Sequence, residues 1–287
     1  MMRIGFIGTG VMGSGIIANL LKHDYDLVVY NRTKEHAKDV LNLGAKWADS
    51  PAQVARASDV VMTMVGFPQD VVDVYCGQNG VMKAVKPNQL LIDLTTSKPS
   101  LAQNLAAKAT QRGAFMLDAP VSGGDIGAQK GTLTVMVGGD RDQLNQHLAL
   151  FHAFGQTVRY FGPAGSGQHA KMANQIMIAG TMTGMCECLA YAKAAHLKLD
   201  EVLATVNNGA AANWSLANYG PRILKDDYTP GFFVKHFVKD LRIALDEAAK
   251  MHLQLPATDQ AKRLYEQLMQ QGDSDDGTQA LIKLWWK

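Results

Sequence analysis

The sequence predicts an α/β chain in two parts. A doubly wound parallel sheet spans residues 1–163, an all-α domain spans 164–287, and a long interdomain helix joins them. Three observations predict it. Short apolar runs alternate with helical stretches of about ten residues through the first half, then stop near Tyr160-Phe161-Gly162-Pro163. The first apolar run, residues 2–7, passes through a glycine-rich turn into a helix. From Gly165 to about His196 no breaker interrupts an apolar stretch, which reads as one helix of about 45 Å at a rise of about 1.5 Å per residue. That length is enough to run from one domain into another.

Composition narrows the function classes. A chain of 287 residues suits two domains, and 47% hydrophobic residues supply a full core. A net charge of +2 argues against an electrostatic nucleic-acid or membrane partner. The cysteines, Cys76, Cys186 and Cys188, are odd in number and read as buried thiols in a reducing compartment. Met-Met-Arg at the start invites a signal-peptide reading. The glycines between Gly5 and Gly13 interrupt any apolar core, and no Ala-x-Ala site follows, so the expectation is a cytoplasmic protein. No apolar run reaches membrane-spanning length without a charge or breaker.

The first element is a buried parallel strand at residues 2–7. Gly8-Thr9-Gly10-Val11-Met12-Gly13 follows, with a helix from Val11 to about Lys22. This is G-x-G-x-x-G between a strand and a helix, the setting in which the pattern signifies a dinucleotide site of Rossmann type. Gly8 makes the tight turn, Gly10 lets the backbone approach a pyrophosphate, and Gly13 lets the helix lie close on the strand. The free N–H groups of the helix start favour the phosphates. The second strand, Leu27-Val28-Val29-Tyr30, ends at Asn31-Arg32-Thr33. An NAD site commonly has a carboxylate here for the ribose hydroxyls. Asn31, Arg32 and Thr33 suit a 2′-phosphate instead, so the expected cofactor is NADP, with NAD possible.

Further strands are read at 59–65, 90–94, 115–118 and 132–137. Ligands of such sheets lie beyond the carboxyl ends of the strands. Thr95-Thr96-Ser97-Lys98-Pro99 and Ala119-Pro120-Val121-Ser122-Gly123-Gly124 stand at two of those ends. Ser122, Gly123 and Gly124 offer bare backbone N–H groups to an anion. Beyond residue 163 the chain reads as helices: the long one, then 200–207, a stretch around Trp214, 232–251, 256–271 and a short one after Asp276. Asn207-Asn208-Gly209 and Gly220-Pro221 read as breaks. On the long helix Lys171, Asn174, Gln175 and Ile178 share a face. A lysine with two amides beside it, in a mostly apolar helix, is unusual for packing alone.

Four stretches together resemble the β-hydroxyacid dehydrogenase family, which includes 3-hydroxyisobutyrate dehydrogenase, tartronate semialdehyde reductase and the glyoxylate/succinic semialdehyde reductases. They are Gly5 to Gly13, Asp118 to Gly124, the G-x-G-x-x-x-K pattern from Gly165 to Lys171, and Lys239-Asp240-Leu241. The resemblance covers nearly the whole chain. It implies an NAD(P)-dependent oxidoreductase acting on a small aldehyde or keto acid and its hydroxy acid. Lys171 would be the catalytic residue, with Ser122 and Gly123 on the substrate carboxylate and Thr96 and Lys239 lining the cofactor side. Of the two amides after the lysine, Asn174 is the better candidate for a catalytic role. The break at 163 assigns Lys171 to the second domain. A homodimer or homotetramer is expected, and the long helix and Leu284-Trp285-Trp286 would serve it or only a core. Trp214, Phe232, Phe233 and His236 are candidates for choosing the substrate. Three alternatives carry different expectations. A 6-phosphogluconate dehydrogenase needs a larger second domain. An imine reductase usually lacks the lysine. A non-catalytic NADP-binding sensor would bind without turnover.

Overall fold

The computed structural model describes residues 2–286. The chain divides into two compact units between Lys171 and Met172. The division falls inside the long helix, so Lys171 belongs with the first unit, whereas the sequence break at 163 marks the end of a strand.

The first unit begins with β1 (Arg3–Ile7), α1 (Val11–Lys22), β2 (Asp26–Tyr30), α2 (Lys38–Asn42), β3 (Lys46–Trp47), α3 (Pro51–Ala57) and β4 (Val60–Thr63). It continues through α4 (Pro68–Cys76), β5 (Leu90–Asp93), α5 (Pro99–Thr110), β6 (Phe115–Asp118), β7 (Val121–Ser122), α6 (Gly124–Lys130) and β8 (Leu133–Gly139). It closes with α7 (Arg141–Gln146), α8 (Leu148–His152) and β9 (Gly155–Gly162). The strands lie in the order β3-β2-β1-β4-β5-β6-β8-β7, with β9 against β8. From β3 to β6 every pairing is parallel.

The alternation of side chains along a strand explains why both faces are covered. Ile4, Phe6, Leu27, Val29, Val60, Met62, Leu90 and Ile92 pack on one face with Ile16, Ile17 and Leu20 of α1. Ile7, Val28, Val61 and Leu91 pack on the other with residues of α3, α4 and α5. The chain leaves β1 for β2 on one side and reaches β4 on the other. The turn at Gly8–Gly13 therefore lies at the switch point of the sheet, where such folds hold their ligands.

The far edge departs from the all-parallel expectation. β8 runs antiparallel to β6 and to β7, and only β9 returns parallel to β8. Connection length accounts for this. Only residues 123–132 separate β7 from β8, too few for the usual parallel crossover of about a dozen or more, whereas residues 140–154 suffice between β8 and β9. In the sequence β9 passes for the end of the pattern, because its residues are mostly half-exposed and show no apolar run.

Helix α9 (Ser166–Ala194) starts in the first unit and its later turns belong to the second. The second unit adds α10 (Leu199–Asn207), α11 (Trp214–Ile223), α12 (Val234–Lys250) and α13 (Pro256–Gln270), then a 3-10 helix at Thr278–Leu284. Their shared core holds Phe237, stacked edge-on against Tyr265 at 4.9 Å and Phe232 at 5.8 Å. Gly220-Pro221 does not break the chain but lies within α11. Pro221 and Ala217 are both exposed residues, and Gly220 lets Leu203 approach closely. Among the described residues no helix is long and apolar enough to cross a membrane, and no cluster of His, Cys, Asp and Glu could hold a metal ion.

Candidate active site

The glycine-rich turn is built for close approach. Gly8 has φ +102°, and a Cβ there would lie 2.0 Å from the Met64 carbonyl oxygen. A Cβ on Gly13 would lie 2.0 Å from the Gly8 oxygen, so that glycine is required by the turn itself. Gly10 differs: a Cβ there would meet nothing within 4 Å. Packing within the chain gives no reason for glycine at this position. A ligand backbone-close to the start of α1 does, and the turn therefore fits a pyrophosphate. Thr9 is buried, and its N–H donates to Asn31 Oδ1 at 3.1 Å while its hydroxyl donates to the His36 carbonyl at 3.0 Å. Val11 is exposed at the helix start, and Met12 packs against the core.

At the end of β2, Asn31 is occupied in holding the turn. Its amide also donates to the Thr33 carbonyl at 2.9 Å. Arg32 and Thr33 are exposed. The Arg32 guanidinium, 86% exposed, lies 3.4 Å from Asp70 Oδ1, a loose pair that leaves it open to a stronger anion.

Beyond β5, Thr96 is half-buried between buried Thr95 and Ser97. Thr95 is tied down twice, its N–H donating to Asp93 Oδ1 and its hydroxyl accepting from the Val65 N–H, each at 3.0 Å. Beyond β6, Ser122 is half-buried, and Gly123 and Gly124 take φ of +132° and +63°. Two consecutive left-handed residues turn the backbone into α6, a conformation that favours glycine at both places. Asp125 follows in the first turn of that helix.

The start of α9 is fastened to the same strand ends. Asp118, at the end of β6, accepts the Gly165 N–H at 2.7 Å and the Gln168 N–H at 2.9 Å. It thus caps a helix far away in sequence. Burial pushes its carboxyl above the ordinary range, and these backbone donors oppose that rise. Gly167 is required here, since a Cβ would lie 2.4 Å from the Met136 carbonyl oxygen. Gln168, fully buried, accepts the Ser97 N–H and donates to the Thr95 carbonyl, each at 2.8 Å.

Lys171 is 6% exposed, one turn beyond Gln168. Lysines are seldom this buried without a specific partner or task. Within the second unit, α9 carries Asn174, whose amide donates to Gln175 Oε1 at 2.8 Å. Gln175 is buried and donates to Asp240 Oδ2 at 2.7 Å. Lys239 Nζ stands 3.1 Å from Asp240 Oδ1, although Oδ1 receives no aligned hydrogen bond. An amide–amide–carboxylate–ammonium chain therefore runs from Asn174 to Lys239. Sequence reasoning puts Asn174 first. The structure buries Gln175 and leaves Asn174 half-exposed, with both in one chain of bonds. Gln168, Asp118 and Asp240 are not singled out by the sequence. Their only signal is a polar side chain at a motif position, which says nothing about its partner.

Two family models match successive parts of the chain. Residues 3–162 match the family model described as the NAD binding domain of 6-phosphogluconate dehydrogenase. Residues 165–285 match the model described as NAD-binding of NADP-dependent 3-hydroxyisobutyrate dehydrogenase. An uncharacterised oxidoreductase of Bacillus subtilis is 49% identical over 99% of both chains. A probable mitochondrial 3-hydroxyisobutyrate dehydrogenase-like protein of Arabidopsis thaliana is 46% identical over 98% of this chain and 84% of that one. The solved structure of a Mycobacterium tuberculosis 3-hydroxyisobutyrate dehydrogenase with L-serine superposes at a TM-score of 0.89, with 27% identity and 99% of each chain covered.

Proposed function

The chain belongs to the β-hydroxyacid dehydrogenase family of NAD(P)-dependent oxidoreductases, and from that premise we propose that it reduces a small aldehyde or keto acid to its hydroxy acid, or the reverse, with NADP and with Lys171 as general acid and base. The burial of Lys171 on a helix start fastened to the ends of β5 and β6 carries this reading. When bound, the dihydronicotinamide supplies the hydride. As negative charge develops on the carbonyl oxygen, the Lys171 ammonium stabilises it and delivers the proton. In the oxidative direction the neutral amine takes that proton back. Asn174, held by Gln175, presents an amide on the same helix. The turn at Gly8–Gly13 is assigned to the pyrophosphate, and Thr96 and Lys239 are each assigned to the cofactor by the family resemblance.

The substrate carboxylate is assigned to Ser122, Gly123 and Gly124, whose bare backbone suits an anion. Asp125 in the following turn opposes one, which makes the neutral aldehydes the decisive comparison. The related M. tuberculosis enzyme carries L-serine, itself a small hydroxylated carboxylate. Glyoxylate and the succinic, tartronate and methylmalonate semialdehydes are the substrates to assay, each followed through the NADPH absorbance band. The matching aldehydes without a carboxylate are expected to lose roughly 10–100-fold in kcat/KM, the scale of hydrogen bonds to a charged group. Ser122→Ala is expected to raise KM for the acids more than for the neutral aldehydes. Equal turnover of neutral and acidic aldehydes would remove the carboxylate anchor.

The cofactor assignment rests on Arg32, exposed and only loosely paired with Asp70 where a ribose-binding carboxylate would otherwise stand. NADPH is expected to exceed NADH in kcat/KM. Arg32→Asp should cost at least about tenfold with NADPH, because it removes a charge-assisted hydrogen bond to the phosphate and puts a repulsive carboxylate in its place. Equal use of both cofactors by the unmodified protein would overturn the assignment.

A further inference from the structure

A buried primary amide has two donors and a carbonyl to satisfy, and leaving them unmet is costly. Gln168 satisfies its carbonyl and one donor in a particular way. Its side chain grips the backbone on both sides of Thr96, at the Thr95 carbonyl and the Ser97 N–H. Its own N–H is held by Asp118. Thr95–Ser97 follow β5 and Asp118 ends β6, and Asp93 and Asp118 are direct partners across those two strands. The first turn of α9 is thus fixed at two points on neighbouring strand ends. One point alone would allow the helix to turn about its axis. Two directional points set its rotation, which apolar packing does only loosely. Residues at i and i+3 share a helix face, so the rotation set at Gln168 is the rotation of Lys171.

We propose that Gln168 is a positioning residue: its amide fixes the rotation of the start of α9 against the Thr95–Ser97 loop and so places the Lys171 ammonium for proton transfer. This inference rests on Lys171 being the acid. Asp118 is the second anchor of the same grip.

The test is a cycle of four proteins: the unmodified enzyme, Gln168→Leu, Lys171→Ala and the double variant, assayed with NADPH and the best acid substrate. NADPH dissociation constants are measured by fluorescence. Gln168→Leu is expected to lose about 10²-fold in kcat, the scale of a small misplacement of a reacting group. Its KM for the acid and its affinity for NADPH should change by less than about threefold, because the turn at Gly8–Gly13, the main grip assigned to the cofactor, is untouched even though the loop carrying Thr96 loses one tether. In the Lys171→Ala background the same change should cost less than about threefold, since a residue acting through Lys171 has nothing left to position. Gln168→Glu keeps the acceptor for Ser97 and loses the donor to Thr95, and its kcat should fall between those of Gln168→Leu and the unmodified enzyme. Equal losses in both backgrounds would show a general structural role and overturn the proposal, as would loss of NADPH binding in both Gln168 variants. An inactive Lys171→Ala with a fully active Gln168→Leu overturns this proposal alone. An active Lys171→Ala overturns the catalytic reading and this one with it.

Discussion

Lys171→Ala is expected to lower kcat by about 10²–10⁴-fold while NADPH binds with nearly unchanged affinity. The two halves of this expectation rest on separate parts of the first unit. Binding is assigned to the turn at Gly8–Gly13 and the end of β2, where the Thr9 N–H donates to Asn31 Oδ1. Proton delivery, in the proposed mechanism, is assigned to a lysine 6% exposed at the start of α9. Alanine removes the ammonium without adding bulk, so the helix, still capped by Asp118 and tied by Gln168, keeps its place. Steady-state rates with the best acid substrate, beside a fluorescence titration with NADPH, provide the check. Retention of more than about a tenth of the native rate would mean that water or another group supplies the proton.

Gly8 and Gly10 should separate folding from cofactor binding. Gly8→Ala forces a side chain onto φ +102° and brings its Cβ to 2.0 Å from the Met64 carbonyl oxygen. The backbone conformation alone costs about 1–3 kcal/mol, and the clash adds to it. At about 2–4 °C per kcal/mol for a chain of this size, the melting temperature should fall by roughly 5 °C or more without cofactor. Gly10→Ala meets no atom of the protein within 4 Å, so its melting temperature should stay within about 1–2 °C of the native value. NADPH affinity should nonetheless drop by at least about tenfold, because the methyl group would occupy the path proposed for the pyrophosphate to the backbone. Thermal melts of the cofactor-free proteins and NADPH titrations decide it. A Gly10→Ala protein that binds NADPH like the unmodified one would move the phosphates elsewhere.

Much of the molecule was determined by the sequence itself. The apolar runs of β1, β4 and β5, the glycine-rich turn, and α9 from Ser166 to Ala194 all follow from local requirements: a period, a positive φ, an absence of breakers. The four motif stretches placed the chain in its family for the same reason, since each lies within a few consecutive residues. Only the tertiary structure decided the antiparallel turn of β8, the half-exposed strand β9 and the passage of α11 through Pro221. It alone decided what the polar groups of the candidate site hold. Asp118 reaches the start of α9 across 50 residues of chain, Gln168 reaches Thr95 across 73, and Gln175 reaches Asp240 across 65. A buried amide or carboxylate leaves no periodic trace in the sequence. Its partner is chosen by where the chain returns, and by the free-energy penalty of burying a polar group without one.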